Sequence, residues 1–332
     1  MSDERINTRS LNQASDRSAS LPFTKDFIEE VAEEFPTPFY IYDEKAMLDN
    51  ARRLNAAFSW NRGFREYFAV KALPNPHVLQ LFKDVNFGLD CSSLAELVLA
   101  TRAGFSGEEI MFTSNDTPAN EFIKARELGA IINLDDFEHL GYVKRVLQAH
   151  GLELPYLISF RFNPGVARRG NSIIGNPEEA KFGCTPDQLF AAYRDARDLG
   201  IRRFGLHSMI ASNELDPAYF VCTVSALIDL GLELERELGI HFEFLNMGGG
   251  IGIPYRPDES AVDLNAVSMG IREAFETRYG PARETNPPRL YMECGRVITG
   301  PYGFLVTRVI HEKQIYKHYL GVDASMANLM RP

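Results

Sequence analysis

Short apolar runs alternate along this chain with stretches whose apolar positions recur at helical spacing. In Glu66-Tyr-Phe-Ala-Val-Lys-Ala72, residues Tyr67 to Val70 have the aromatic and β-branched character of a core strand, and the prolines of Leu73-Pro-Asn-Pro76 stop it. The same kind of run recurs at Asn86-Phe-Gly-Leu-Asp90, Glu109-Ile-Met-Phe-Thr113, Ala130-Ile-Ile-Asn-Leu134 and Tyr156-Leu-Ile-Ser-Phe-Arg161. It recurs again at Arg203-Phe-Gly-Leu-His207, Phe242-Glu-Phe-Leu-Asn246 and Arg289-Leu-Tyr-Met-Glu293. Helical patterns lie between them: Glu44 to Phe58, Pro76 to Asp84, a segment capped by Ser92 with Glu96 in its first turn, and Pro118 to Leu128. Eight strands alternating with helices over about 230 residues predict a (β/α)8 TIM barrel. A doubly wound sheet is the competitor, and the GxGxxG fingerprint it would carry after the first strand is missing.

The flanks divide differently. Residues 1–22, rich in Ser, Asp, Arg and Asn, are expected to be disordered. Residues 23–44 hold a helical pattern from Thr24 to Phe35 and a short strand, Phe39-Tyr-Ile-Tyr42, that belong with a second, mostly β domain. The barrel occupies 45–296, and 297–332 begin the β-domain, since Gly303 to His311 and Tyr316 to Asp323 alternate like strands and should lie beside Phe39 to Tyr42.

Composition narrows the function. A hydrophobic content of 45% with 24% charged residues is that of a soluble globular protein with a sizeable core. The net charge of −10 argues against a nucleic-acid surface and against attraction to anionic lipid, which leaves a small molecule as the partner. Cys91, Cys184, Cys222 and Cys294 show no CxxC spacing, so no metal site or disulfide framework is expected and the reducing cytoplasm fits. No apolar run approaches the length of a membrane span, and no signal peptide opens the chain.

Chemistry in such a barrel collects where its strands end. Those ends read Lys71, Asp90, Ser114, Asp135, Arg161, His207, Gly248-Gly-Gly250 and Glu293, a polar crown on apolar strands. Lys71 either snorkels into water or, if buried, has its pKa lowered so that its neutral amine can attack an aldehyde. The three glycines after the seventh strand either make a plain turn or let backbone N–H groups approach a phosphate, for which this loop is the usual place. Glu293 either pairs with Arg296 or Arg161 or hydrogen-bonds a pyridine nitrogen.

In order and spacing, Tyr67-Phe-Ala-Val-Lys-Ala72, Asp90-Cys-Ser-Ser-Leu-Ala-Glu96, Arg161-Phe-Asn-Pro-Gly165, Lys181-Phe-Gly183, Gly248-Gly-Gly250 and Glu293-Cys-Gly-Arg296 resemble a known family. Val322-Asp-Ala324 and Leu329-Met-Arg-Pro332 continue the likeness, which runs from about Phe39 to Pro332. The family is that of the fold-type III, alanine-racemase-like pyridoxal phosphate-dependent decarboxylases, and diaminopimelate decarboxylase is the member most resembled. The resemblance implies pyridoxal 5'-phosphate as cofactor, with Lys71 carrying it, Glu293 on its pyridine nitrogen, and Gly248, Gly249, Gly250, Gly295 and Arg296 at its phosphate. It places Asp90, Arg161, His207, Met209 and Ser212 around the same group, and makes Lys71 and His207 the catalytic candidates. Arg296 and Arg331 resemble the arginines whose planar forks hold a substrate carboxylate. It further implies a homodimer with active sites at the interface.

Three departures from the family pattern stand out. Met209-Ile-Ala-Ser212 replaces a motif whose first residue is a histidine stacked on the cofactor ring; a thioether packs on a π face but carries no proton. His207, two residues earlier, points to the same side as Met209 and lies either near the ring or in the core as a structural histidine. Cys294 replaces a proline, and the sequence ends at Pro332, inside a family motif that members follow with further β-strands. The activity implied is decarboxylation of an amino acid at Cα, with meso-2,6-diaminopimelate giving L-lysine and CO2. The alternatives are another basic amino acid, such as D-lysine, D-ornithine, L-ornithine or L-lysine, or a cofactor-binding homologue without activity.

Overall fold

A computed structural model describes residues 21–167, 170–171, 173, 175–280 and 286–329. Two compact units form: Glu44–Tyr302 makes the larger, and the described residues before and after it make the smaller. The smaller begins with helix α1 (Lys25–Glu34), whose first turn is closed by the Thr24 hydroxyl accepting the Phe27 N–H at 3.2 Å. Strand β1 (Phe39–Tyr42) follows.

In the larger unit, α2 (Glu44–Ala57) leads into β2 (Arg65–Ala69), α3 (Pro76–Asp84), β3 (Gly88–Cys91), α4 (Leu94–Arg102), β4 (Ile110–Ser114), α5 (Ala119–Glu127) and β5 (Ile131–Leu134). The alternation continues with α6 (His139–Ala149), β6 (Leu157–Phe162), α7 (Pro186–Asp198), β7 (Arg203–Ser208), α8 (Pro217–Leu238), β8 (Phe242–Asn246), α9 (Leu264–Tyr279) and β9 (Arg289–Met292). A short helix, α10 (Arg296–Thr299), follows. Strands β2 to β9 are parallel and close in chain order, β9 pairing back on β2 through Arg65↔Tyr291 and Glu66↔Met292. This is the (β/α)8 barrel that the alternation of apolar runs predicts.

Ser93, and not Ser92, caps α4: its hydroxyl accepts the Glu96 N–H at 3.3 Å, while the Glu96 carboxylate takes the Ser92 N–H at 2.6 Å. Two adjacent serines are equally suited by type, so only the backbone conformation separates them. Helix α8 is long and apolar enough, by length and composition, to cross a membrane, an exception to the reading that no apolar run comes near that length. Here its apolar face, with Phe220, Val224, Leu227 and Ile228, is buried where the helix packs on β7, β8 and α9.

Inward-facing positions follow the two-residue period of a strand. The floor of the barrel is apolar: Tyr67, Met111, Ile131, Leu157, Phe244 and Tyr291 form one buried cluster. Gly88 and Gly205 complete it, because a Cβ at either would overlap the ring of Tyr67 or Phe244. Each large side chain buried there contributes roughly 1.5–3 kcal/mol relative to exposure. Two residues further along each strand stand Ala69, Asp90, Thr113, Asn133, Ser159, His207, Asn246 and Glu293. All but Ala69 are polar, so the layer nearer the carboxyl ends must be hydrogen-bonded or cost stability.

In the smaller unit, β10 (Gly303–Val306) pairs antiparallel with β1, with Phe39 opposite Val306, and β11 (Val309–Gln314) forms a hairpin with β12 (His318–Val322). The apolar alternation from Gly303 to His311 is thus broken at Thr307-Arg308. There the Asp323 carboxylate accepts the hydroxyls of Thr307 and Thr37 at 2.6 and 2.5 Å and the Arg308 N–H at 2.9 Å. Those three donors, Thr307 foremost, hold the carboxyl down at about 2.

Candidate active site

Strand β2 ends at Ala69, and the chain then tightens into one 3-10 turn, Val70–Ala72, with Val70 buried and Lys71 exposed. Of the two alternatives for Lys71, the structure shows the exposed lysine and not the buried one. Lys71 leaves the barrel between two acids, because β2 is paired on one side with β9, just beyond which lies Glu293, and on the other with β3, which carries Asp90. Both carboxyls, and that of Glu96, feel the ammonium.

The two acids are held in opposite states. Burial pushes the Asp90 carboxyl well above the usual carboxylate range, repulsion from Glu293 adds to it, and the attraction of Lys71 does not cancel the rise. Its Oδ1 is buried without a hydrogen-bond partner among the described residues. For Glu293 burial also acts upward, but a hydrogen bond from His207, the Lys71 charge and a bond from Asn246 bring the carboxyl below its ordinary value. His207 Nε2 lies 3.1 Å from Glu293 Oε2, and Asn246 Nδ2 donates to Oε1 at 2.7 Å. Arg161 pairs with Asp135 instead and Arg296 lies over Tyr255, so the ion-pair alternative for Glu293 is not the arrangement found.

His207 is fully buried, and its Nδ1 meets Asn133 Nδ2 at 2.8 Å. Both ring nitrogens are thus engaged by protein groups. Asn133 Nδ2 also reaches Thr113 Oγ1 at 3.3 Å, and the Thr113 hydroxyl hydrogen-bonds Asp90. A continuous belt, Asp90–Thr113–Asn133–His207–Glu293–Asn246, crosses the barrel interior above the apolar floor. Sequence reasoning missed Thr113, Asn133 and Asn246, although each lies two residues beyond a floor residue on a two-residue period, which is the signal that finds them.

Around the rim the glycines answer to backbone packing. A Cβ at Gly249 would overlap the Glu293 carbonyl, one at Gly250 the Ala211 carbonyl, and Gly248, with φ +67°, bonds its carbonyl to the Glu293 N–H at 2.8 Å. The triplet therefore draws the loop after β8 against residue 293. Met209 turns its sulfur toward that loop, where Sδ accepts the Gly249 N–H at 3.1 Å. Arg161 spends its fork on Asp135 Oδ1 at 2.9 Å and the Met209 carbonyl at 2.7 Å, and stacks on Phe182. The Ser212 N–H bonds Asn171 Oδ1 at 3.3 Å, Gly295 packs on Ala72 and Ala69, and Arg296 lies over the Tyr255 ring. Arg331 lies outside the described residues.

Glu66 is a further acid unread in the sequence. It is wholly buried, its Oε1 accepts the Cys294 N–H, and its Oε2 has no partner among the described residues. Burial pushes its carboxyl well above the usual range, and the neighbouring Glu293 and Asp90 charges add to the rise. A group whose folded-state pKa is raised contributes stability that is complete below its unfolded value, near 4.3, and is lost as pH rises through the folded value. Glu66→Gln, neutral at every pH, should therefore outlast the wild type as pH rises. Melting temperatures across pH check this; a variant less stable than wild type at every pH would show that the carboxyl has an ionic job.

This donor set suits pyridoxal phosphate: one exposed amine between two buried acids, one acid held anionic as a pyridine nitrogen requires, the other with an unsatisfied oxygen, and a glycine loop drawn against residue 293. Residues 47–300 match the family model described as pyridoxal-dependent decarboxylase, pyridoxal binding domain. Protein TabA of Pseudomonas amygdali pv. tabaci is 42% identical over 306 residues, 92% of this chain and 70% of that protein. The diaminopimelate decarboxylase of Methanothermobacter thermautotrophicus is 35% identical over 309 residues, 91% of this chain and 70% of that one. Among solved structures, the diaminopimelate decarboxylase from M. jannaschii in complex with L-lysine aligns with a TM-score of 0.83 at 28% identity, covering 91% of this chain and 71% of that one. Barrel, donor set and relatives agree, and the chain belongs to the fold-type III pyridoxal phosphate-dependent decarboxylases, carboxy-lyases that resemble diaminopimelate decarboxylase.

Proposed function

We propose that this chain removes a carboxylate from Cα of a diamino acid, with meso-2,6-diaminopimelate going to L-lysine and CO2 as the leading reaction. The observation that carries the mechanism is the buried Glu293, kept anionic by two N–H donors beside the strand that leads into the Lys71 turn. Pyridoxal phosphate, when bound, supplies an electron sink for the pair left behind by departing CO2. Lys71 is the residue to hold it through its amine, and Glu293 the acceptor that keeps a ring nitrogen protonated. The loop Gly248 to Gly250, with Gly295 and Arg296, would receive the phosphate. Met209, Asp90, Arg161 and Ser212 border the cofactor, and Arg296 with Arg331 holds the substrate's second carboxylate. His207 acts through Glu293, since neither of its nitrogens is free to exchange a proton with substrate.

The choice of diaminopimelate leans on relatives named for it at 30–35% identity and on neighbours solved with L-lysine. Met209 keeps a second reading in play, that of another basic amino acid. The test is CO2 release by the full chain with pyridoxal phosphate across meso-diaminopimelate, L- and D-lysine, and L- and D-ornithine. The highest kcat/KM is expected for diaminopimelate; an inert response to it alongside turnover of another member would move the assignment. The same proposal includes a cytoplasmic homodimer with shared sites, which sedimentation would check.

A further inference from the structure

The polar belt runs in one direction, and that direction is set by Asn133. The Glu293 carboxylate can only accept, so the His207 nitrogen that faces it, Nε2 at 3.1 Å, must carry a proton. The Asn133 amide nitrogen can only donate, so Nδ1, at 2.8 Å from it, must be bare. The Asn133 amide is oriented in turn by its second bond, to the Thr113 oxygen at 3.3 Å, which leaves the Thr113 hydroxyl proton for Asp90. Turning the amide over would set its oxygen against Nδ1 and require a second proton on the ring. In this orientation Asn133 Oδ1 is buried with no partner among the described residues. Asn133 and His207 are two strands apart, on β5 and β7, and meet only because the barrel is closed.

We propose that Asn133 is a positioning residue that locks the His207 imidazole as its Nε2–H tautomer and so keeps a donor aimed at Glu293. The functional consequence rests on the role given to Glu293 above; the tautomer itself does not. The groups that bear on the ring are Glu293 directly and, along the belt and its mouth, Asp90 and Lys71.

The test labels the seven histidines of the full chain with 15N and records long-range proton–nitrogen correlations with and without pyridoxal phosphate, His207 being assigned by its loss in His207→Gln. The wild type should present a protonated Nε2 and an unprotonated Nδ1. In the nearly isosteric Asn133→Asp variant, Nδ1 should shift to the protonated range at neutral pH, and kcat should fall about 10- to 100-fold with KM little changed, as for other residues that orient a ligand to a reacting group. Asn133→Leu, which offers Nδ1 nothing, should keep the proton on Nε2 that Glu293 requires and let Nδ1 take a second proton more readily than in the wild type. A wild-type ring protonated on Nδ1, or a nitrogen pattern that stays put in Asn133→Asp while only the melting temperature drops, would overturn the proposal. If the pattern is as stated but Glu293→Gln turns over substrate at the wild-type rate, the role of Glu293 fails and the tautomer lock stands.

Discussion

Lys71→Ala is expected to abolish the visible absorbance that lysine-bound pyridoxal phosphate shows and to lower the rate of CO2 release by at least about 10³-fold, since both the covalent hold and a positioned proton carrier are lost. Lys71→Arg separates the two jobs of the residue. It keeps a cation between Asp90 and Glu293, so the acids should behave as in the wild type, yet a guanidinium cannot form the bond to the cofactor. Both variants should fold, because Lys71 is exposed on a turn. Full absorbance in either one would remove Lys71 from its assigned role.

Glu293→Gln should retain cofactor while losing about 10²- to 10³-fold in kcat, because a neutral amide no longer holds a proton on the ring nitrogen. One of its two acceptor oxygens becomes an N–H donor, so either His207 or Asn246 faces a donor instead of an acceptor, a loss of about 1–3 kcal/mol in stability. The pH behaviour follows from direction. Glu293 has a depressed folded-state pKa, so the stability it contributes is present above the ordinary carboxylate value and is lost as pH falls through the depressed one. The wild type should lose that increment on acidification, and Glu293→Gln should not. Asp90 should respond as well: repulsion from Glu293 is the second largest cause of its raised pKa, after burial, so removing that charge should let Asp90 ionise at lower pH. Wild-type turnover and an unchanged acid limb in Glu293→Gln would set the pyridine-nitrogen role aside.

Much of this molecule is written along the chain. Most barrel strands are local runs of apolar residues, many β-branched or aromatic, stopped by prolines, glycines or polar residues, and the strand ends carry the acids, the lysine and the glycines that a reader can name by position. Local pattern is enough because a strand buried on both faces must be apolar wherever it sits. The pairing of β1 with β10 across 260 residues of intervening sequence was legible for a similar reason, from period-two alternation at both ends. The cap of α4 and the break at Thr307-Arg308 were not legible, since neighbouring residues of equal propensity are separated only by the hydrogen bonds their backbone can reach.

Architecture, family and the inventory of chemical groups thus follow from the chain alone, because they depend on local periodicity and on residue order. Tertiary structure alone decided which acid is charged. Asp90 and Glu293 are both strand-end carboxyls on paper, and Glu66 and Asn133 read as ordinary strand residues. Closing eight strands into a ring excludes water from all four, gives Glu293 two N–H donors while leaving an oxygen of Asp90 and one of Glu66 without any, and so holds one acid anionic and pushes the other two toward neutrality.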